Sequence, residues 1–109
     1  MKRGEIWTMA GGSSYADKAR PVLIVQDDAF AERDSVTVCL ITTDPADLPV
    51  FRVPVDPTAA NGLRVTSRLM VDKVTTVQRS RLGQRIGQVA DDDMLRLNRT
   101  MLVFLGLAR

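Results

Sequence analysis

A chain with no histidine and one cysteine, Cys39, has to do any acid–base or nucleophilic chemistry with other groups. The commonest proton shuttle is missing, and a tetrahedral zinc site is nearly excluded. Asp, Glu, Ser, Thr, Lys, Arg and Tyr remain. Lysine occurs only at Lys2, Lys18 and Lys73, so arginine carries most of the positive charge. From Arg64 to Arg85 stand Arg64, Arg68, Lys73, Arg79, Arg81 and Arg85 against the single acid Asp72. From Asp27 to Asp47 the acids are Asp27, Asp28, Glu32, Asp34, Asp44 and Asp47, against Arg33 alone. A guanidinium forks onto two phosphate oxygens at once. The arginine cluster therefore points to a polyanionic partner, although the net charge is only +2. Taken singly, each of these charges reads first as part of a solvated strand face. Magnesium needs carboxylates that converge, and the consecutive acids Asp27-Asp28 and Asp91-Asp92-Asp93 diverge, so no metal is expected.

The elements that must position such groups are short. A length of 109 residues and a mass of 12.0 kDa leave room for one domain, residues 1–109. Hydrophobic residues make up 45%, enough for a packed core, and no apolar run is long enough to span a membrane. The start, Met1-Lys2-Arg3-Gly4-Glu5, lacks the apolar stretch of a signal peptide, so a cytoplasmic protein is expected. Residues 4–9 alternate, 21–25 form a continuous apolar run as in a strand buried on both faces, and 35–42 are rich in β-branched residues. Residues 10–19 are a polar loop and 27–34 a turn or short helix. Residues 50–55 read as a strand whose prolines mark an edge, Asn61-Gly62 as a turn, 67–77 as one or two strands and 83–89 as another. The period then changes to that of a helix over 91–107, with Asp91, Asp92 and Asp93 at its start (one of them capping) and Gly106 as its stop. The expected fold is mostly β, a barrel-like antiparallel sheet closed by one C-terminal helix. The helix stripe Met94, Leu97, Met101, Leu102 and Leu105 exceeds what so small an interior can bury, which predicts a homodimer.

Several segments together resemble the MazF/PemK family of toxin endoribonucleases. They are Lys2-Arg3-Gly4-Glu5-Ile6-Trp7, Arg20-Pro21-Val22-Leu23-Ile24-Val25-Gln26, Ile41-Thr42-Thr43, Ser67 before an apolar strand, Asp72-Lys73-Val74-Thr75-Thr76 and Arg81-Leu82-Gly83. They occur in family order over nearly the whole chain. The resemblance implies the SH3-like barrel of the CcdB/MazF-like toxin fold, a symmetric homodimer, and metal-independent cleavage of single-stranded RNA without a cofactor. It also implies a cognate antitoxin with a disordered acidic C-terminal tail. The family's catalytic pair falls on Arg20 and Thr42. Thr43, Ser67, Asp72, Lys73, Arg68, Arg79 and Trp7 become candidates for substrate binding. In the first loop the family commonly carries Pro-x-x-Gly-Ser-Glu, whereas residues 11–18 here contain no Glu. Asp17 is the only carboxylate available there.

The implied reaction is attack of a 2′-hydroxyl on the adjacent phosphorus, giving a 2′,3′-cyclic phosphate and a 5′-hydroxyl. Arg20 suits stabilisation of the phosphorane charge, and its very high pKa makes it a poor proton shuttle. Thr42 can donate its hydroxyl to a phosphate oxygen or orient the 2′-hydroxyl. Plain structural readings stand beside these. Asp72 is either a general base or a partner of Lys73 or Arg68. Ser67 either meets RNA or bonds backbone in a turn. Trp7 and Phe51 either stack on bases or pack, while Phe30 and Phe104 are expected in the core and Cys39 as a small buried group. The alternative function is a non-catalytic CcdB-like toxin that binds DNA gyrase. That action depends on a Trp-Gly-Ile-like end, and this chain ends Gly106-Leu107-Ala108-Arg109.

Overall fold

The computed structural model describes residues 1–10, 19–45 and 51–108. Most of the first loop, with Asp17, lies outside the described residues, as do residues 46–50. Six strands form one antiparallel sheet: β1 (Glu5–Met9), β2 (Arg20–Ile24), β3 (Ser35–Thr42), β4 (Arg52–Val55), β5 (Ser67–Gln78) and β6 (Leu82–Gln88). Their spatial order is β4-β5-β3-β2-β1-β6. One helix, α1 (Asp91–Phe104), follows, and 3₁₀ turns occupy Asp28–Phe30 and Arg79–Arg81. The stretch read as one or two strands is a single long β5. Its pairing with β3 jumps at a bulge: Cys39 faces Val74 while Leu40 faces Met70, so Val71, Asp72 and Lys73 have no partner on β3.

Side chains alternate across the sheet and build two cores. Ile6, Leu23, Cys39, Ile41, Val53, Leu69 and Val71 form the first, which Leu97 of α1 seals, with Met94 and Met101 half-buried beside it. Val22, Ile24, Val36 and Val38 form the second on the opposite face of the same strands, covered by Leu82, Val77, Trp7 and Met9. The run 22–25 is thus buried on both faces, as its unbroken apolar character predicts.

Three local expectations change. No aspartate side chain caps α1: Ala90 is the cap residue, and Asp91, Asp92 and Asp93 lie in the first turn, where their charge opposes the helix dipole. Phe30 and Phe104 are not core residues; they are 56% and 44% exposed. Phe30 sits in the 3₁₀ turn between β2 and β3. Phe104 lies in the last turn of α1 and rests tilted on Phe51, with ring centroids 5.5 Å apart. Leu102 and Leu105 are the part of the helical stripe that the interior leaves exposed, in line with its expected excess. The stop at Gly106 holds: its φ is +73°, its N–H bonds Val103 O at 3.0 Å, and Leu107 N–H bonds Leu102 O at 2.8 Å.

The end strands β4 and β6 share no ladder among the described residues. The segment after β4 brings the two ends together. Asn61 is buried, and its amide makes three bonds: its Oδ1 accepts from the N–H groups of Thr58 at 3.0 Å and Leu63 at 2.9 Å, and its Nδ2 donates to Asp56 O at 2.9 Å. That fixed turn lets Gln88 N–H bond Ala60 O at 2.9 Å. Backbone meets backbone here, so only glycine fits on either side. A Cβ on Gly87 would stand 2.2 Å from the Asn61 carbonyl carbon, and one on Gly62, whose φ is +72°, 2.2 Å from Ile86 O. Gly87→Ala must open this seam. We expect a cost of about 1–3 kcal/mol, as for other overpacked interiors, and a melting temperature lower by roughly 4–8 °C per kcal/mol. An unchanged thermal melt would show that the seam is slack.

Candidate active site

Arg20 begins β2 and Thr42 ends β3. The β2–β3 ladder pairs Val22 with Leu40, and continuing that register two residues sets Arg20 opposite Thr42. The neighbouring ladders extend the row: Met9 pairs with Arg20, Thr42 with Arg68, and Arg68 with Pro54. Residues opposed across a ladder share a face. Arg20, Thr42 and Arg68 therefore lie in line on the face of the second core, on strands about 4.8 Å apart. Arg20 is exposed, and its side chain makes no hydrogen bond or ion pair with another described residue. Thr42 Oγ1 accepts the Asp44 N–H at 3.1 Å. That bond uses a lone pair and leaves the hydroxyl proton free to donate.

Next to the row, at the same strand ends, opens a cleft of about 380 Å³. Pro21, Thr43, Leu63, Arg64, Ser67 and Ile86 line it. Alternation explains the division: Pro21 and Thr43 turn into the cleft because Arg20 and Thr42 turn the other way. Of the expected substrate contacts, Thr43 is exposed at the cleft. Ser67 is buried there, with its hydroxyl donating to Val65 O at 3.0 Å, the backbone-bonding arrangement. Trp7 is partly buried on the second core, opposite Val22, and its Nε1 donates to Glu5 Oε1 at 3.0 Å.

The remaining candidates lie away from the row. Asp72 pairs with neither Lys73 nor Arg68. The bulge turns it toward β4, where Arg52 grips both its oxygens, Nε to Oδ1 at 2.9 Å and Nη2 to Oδ2 at 3.0 Å. Lys73 is exposed on the bulge. Arg79 is tied to the start of β3, at the far end from Thr42, through its N–H to Asp34 O at 2.8 Å and its side chain to Arg33 O at 3.4 Å. Arg81, which the family motif includes only as a marker, comes to the row's other end, where its Nη2 bonds Ala10 O at 2.9 Å.

Glu5 is the best-served carboxylate of this face. It accepts from Lys2 N–H at 2.9 Å, Trp7 Nε1 at 3.0 Å and Arg85 Nε at 3.0 Å. Desolvation pushes its pKa up, and these donors more than cancel that, so it lies below the usual value of 4.5. The Lys2 and Trp7 donors are local, but no local signal marks the partnership with Arg85, which is 80 residues away. Cys39 goes the other way: burial first, then the negative field of Asp72, pushes its thiol up to about 12. It stays a neutral core group and offers no thiolate. Among the described residues no three Asp, Glu, Cys or His gather as a metal site, and no helix is long and apolar enough to cross a membrane.

Residues 2–105 match the profile of the PemK-like, MazF-like toxins of type II toxin–antitoxin systems. A probable endoribonuclease MazF from Mycolicibacterium smegmatis is 52% identical over 108 residues, 99% of each chain. The solved structure of the Mycobacterium tuberculosis toxin MazF-mt6 is 30% identical and superposes with a TM-score of 0.78, over 94% of this chain and 96% of that one. An endoribonuclease in complex with its cognate antitoxin, from a mycobacterial species, is 24% identical, has a TM-score of 0.82, and covers 100% of this chain and 98% of its own. That likeness shows a shared fold.

The Glu5 cluster makes stability depend on acid. A carboxylate whose pKa is lowered by folding stabilises the fold above its unfolded value, and that contribution fades as pH falls through the folded one. Glu5→Gln should therefore melt below the wild type by a steady margin above pH 5 or so, and the margin should shrink below 4.5. A margin constant down to pH ~3 would assign the loss to packing rather than charge.

Proposed function

This chain belongs to the PemK-like, MazF-like toxins of type II toxin–antitoxin systems, and we propose that it is an endoribonuclease cutting single-stranded RNA at the Arg20–Thr42 row. The observation that supports the site is the register of the central strands: the β2–β3 ladder, continued two residues past Val22–Leu40, sets the unpaired Arg20 side chain opposite Thr42, whose hydroxyl keeps its proton. A phosphodiester laid on that row meets both groups at once. Arg20 presents a fixed cation to the two non-bridging oxygens and stabilises the charge that grows as the 2′-oxygen bonds to phosphorus. Thr42 donates to one of those oxygens or fixes the 2′-hydroxyl in line. The P–O5′ bond then breaks, leaving a 2′,3′-cyclic phosphate and a 5′-hydroxyl, with the proton of the 2′-hydroxyl lost and one gained on the departing oxygen. The cleft holding Thr43 and Ser67 gives an adjacent base a place to enter.

Metal-independent chemistry follows from this division of labour, since Arg20 supplies the charge a divalent ion would otherwise bring. We assign to the same protein a homodimeric state, action in the cytoplasm and a cognate antitoxin whose acidic, disordered tail competes for the basic row. Arg20→Ala and Thr42→Ala should each slow cleavage by roughly 10²–10³. Arg20→Ala should shift stability by no more than about 0.5 kcal/mol, as an exposed residue does. Thr42→Ser should recover most of the rate. Cleavage should persist in EDTA, and end-group analysis should find cyclic phosphate. A requirement for Mg²⁺, or activity and melting temperature falling together in Arg20→Ala, would refute the assignment.

A further inference from the structure

The row of the active site does not stop at Arg68. Its next member is Pro54 on β4, the end strand of the sheet. An end strand has a free edge, and the carbonyl of Pro54 accepts a bond from Arg96 Nη2 of α1 at 2.9 Å. Beyond that contact a cleft of about 260 Å³ opens between β4 and α1, lined by Arg52, Val53, Pro54, Arg96, Arg99 and Thr100. Three arginines in so small a cleft would repel one another unless compensated. Arg52 is compensated by Asp72 and Arg96 by Asp93, while the Arg99 side chain has no hydrogen bond or ion pair with another described residue. Arg96 also keeps donors to spare, since both its bonds leave from Nη2.

We propose that the RNA strand continues from the Arg20–Thr42 site past Arg68, over the β4 edge, and into the β4–α1 cleft, where Arg96 and Arg99 hold its phosphates. This rests on the RNA-cleaving function proposed above. The path is short: Arg20 and Pro54 stand three strand spacings apart, about 14 Å. It is basic along its length, with Arg20 and Arg68 on the row and Arg96 and Arg99 in the cleft. The cleft offers forked guanidinium donors and no aromatic ring. It would therefore grip backbone and leave bases unread, adding affinity without sequence preference. The acidic segment around Asp27, Asp28, Glu32 and Asp34 lies at the opposite end of β3 from Thr42, away from this path.

The test uses the full-length protein and two non-cleavable 2′-deoxy-substituted RNAs: one short enough to fill only the Arg20–Thr42 site, the other extended on both sides. Its readout is the ratio of the two affinities. The wild type should prefer the long strand. Arg99→Glu should cut that preference about tenfold and make the salt dependence of long-strand binding shallower, by roughly 0.7 in the log–log slope per lost phosphate contact. Arg96→Gln should act in the same direction. Arg33→Glu, an equal charge change at the far end of the molecule, should leave the ratio alone. An unaltered ratio in Arg99→Glu, or an equal fall in Arg33→Glu, overturns the path while leaving cleavage at Arg20–Thr42 intact. A larger loss of binding to polyglutamate than to the long RNA would reassign the cleft to an acidic polypeptide. Wild-type protein that cuts no RNA would remove the premise itself.

Discussion

The candidate site of this molecule depends on two backbones touching. The sheet is rolled, yet its end strands share no ladder among the described residues. The roll is held where the turn at Asn61-Gly62 lies against Ile86-Gly87, with no side chain between them. Hydrogen bonding alone does not explain the seam, because one bond from Gln88 to Ala60 is a small contribution. The buried Asn61 makes it rigid. Its amide satisfies three backbone groups and so replaces the ladder that a strand would have provided. From that fixed turn the chain runs through Leu63 and Arg64 to Ser67, forming one wall of the cleft, and then enters β5 in the register that sets Arg68 beside Thr42. A slack seam would loosen both the cleft and the row.

The row itself is a consequence of antiparallel pairing. Catalysis on a phosphodiester asks for a cation and a hydroxyl held within a few ångströms, on rigid supports. Two central strands buried on both faces are among the most rigid supports available, and their ends remain open to solvent. Placing Arg20 at the start of one and Thr42 at the end of the other combines a firm base with access. The bulge in β5 leaves Asp72 without a partner on β3, and Arg52 neutralises it. An unpaired carboxylate near the row would repel phosphate, and the pairing with Arg52 offsets that charge.

Arginine content alone says little about binding. Arg52, Arg85 and Arg96 each have a carboxylate partner, and Arg81 is held by a backbone carbonyl. Arg20, Arg68 and Arg99 have no carboxylate among the described residues. The distinction separates arginines that hold the fold from arginines whose charge is available to a ligand, and it cuts across the sequence cluster from Arg64 to Arg85.

Much of the fold was legible in the letters. The run at residues 22–25 announced a strand buried on both sides, Pro54 an edge, Asn61-Gly62 a turn, and the change of period after residue 90 a helix ended by Gly106. Each of these is written within a few residues, because periodicity and φ preference are local properties. The ordered motifs likewise carried the resemblance that named Arg20 and Thr42. Partnership was not legible. Arg52 finds Asp72 across 20 residues and Arg85 finds Glu5 across 80. The exposure of Phe30 and Phe104, apolar letters that read as core, was equally hidden. These outcomes depend on ladder register, on one bulge and on where the sheet runs out beneath the helix, each of which sums many weak contacts between distant parts of the chain. The sequence by itself determined which segments become strands and helix. The tertiary structure decided which charges cancel and which face the solvent together, because neutralisation is a matter of a few ångströms in space and has no counterpart in spacing along the chain.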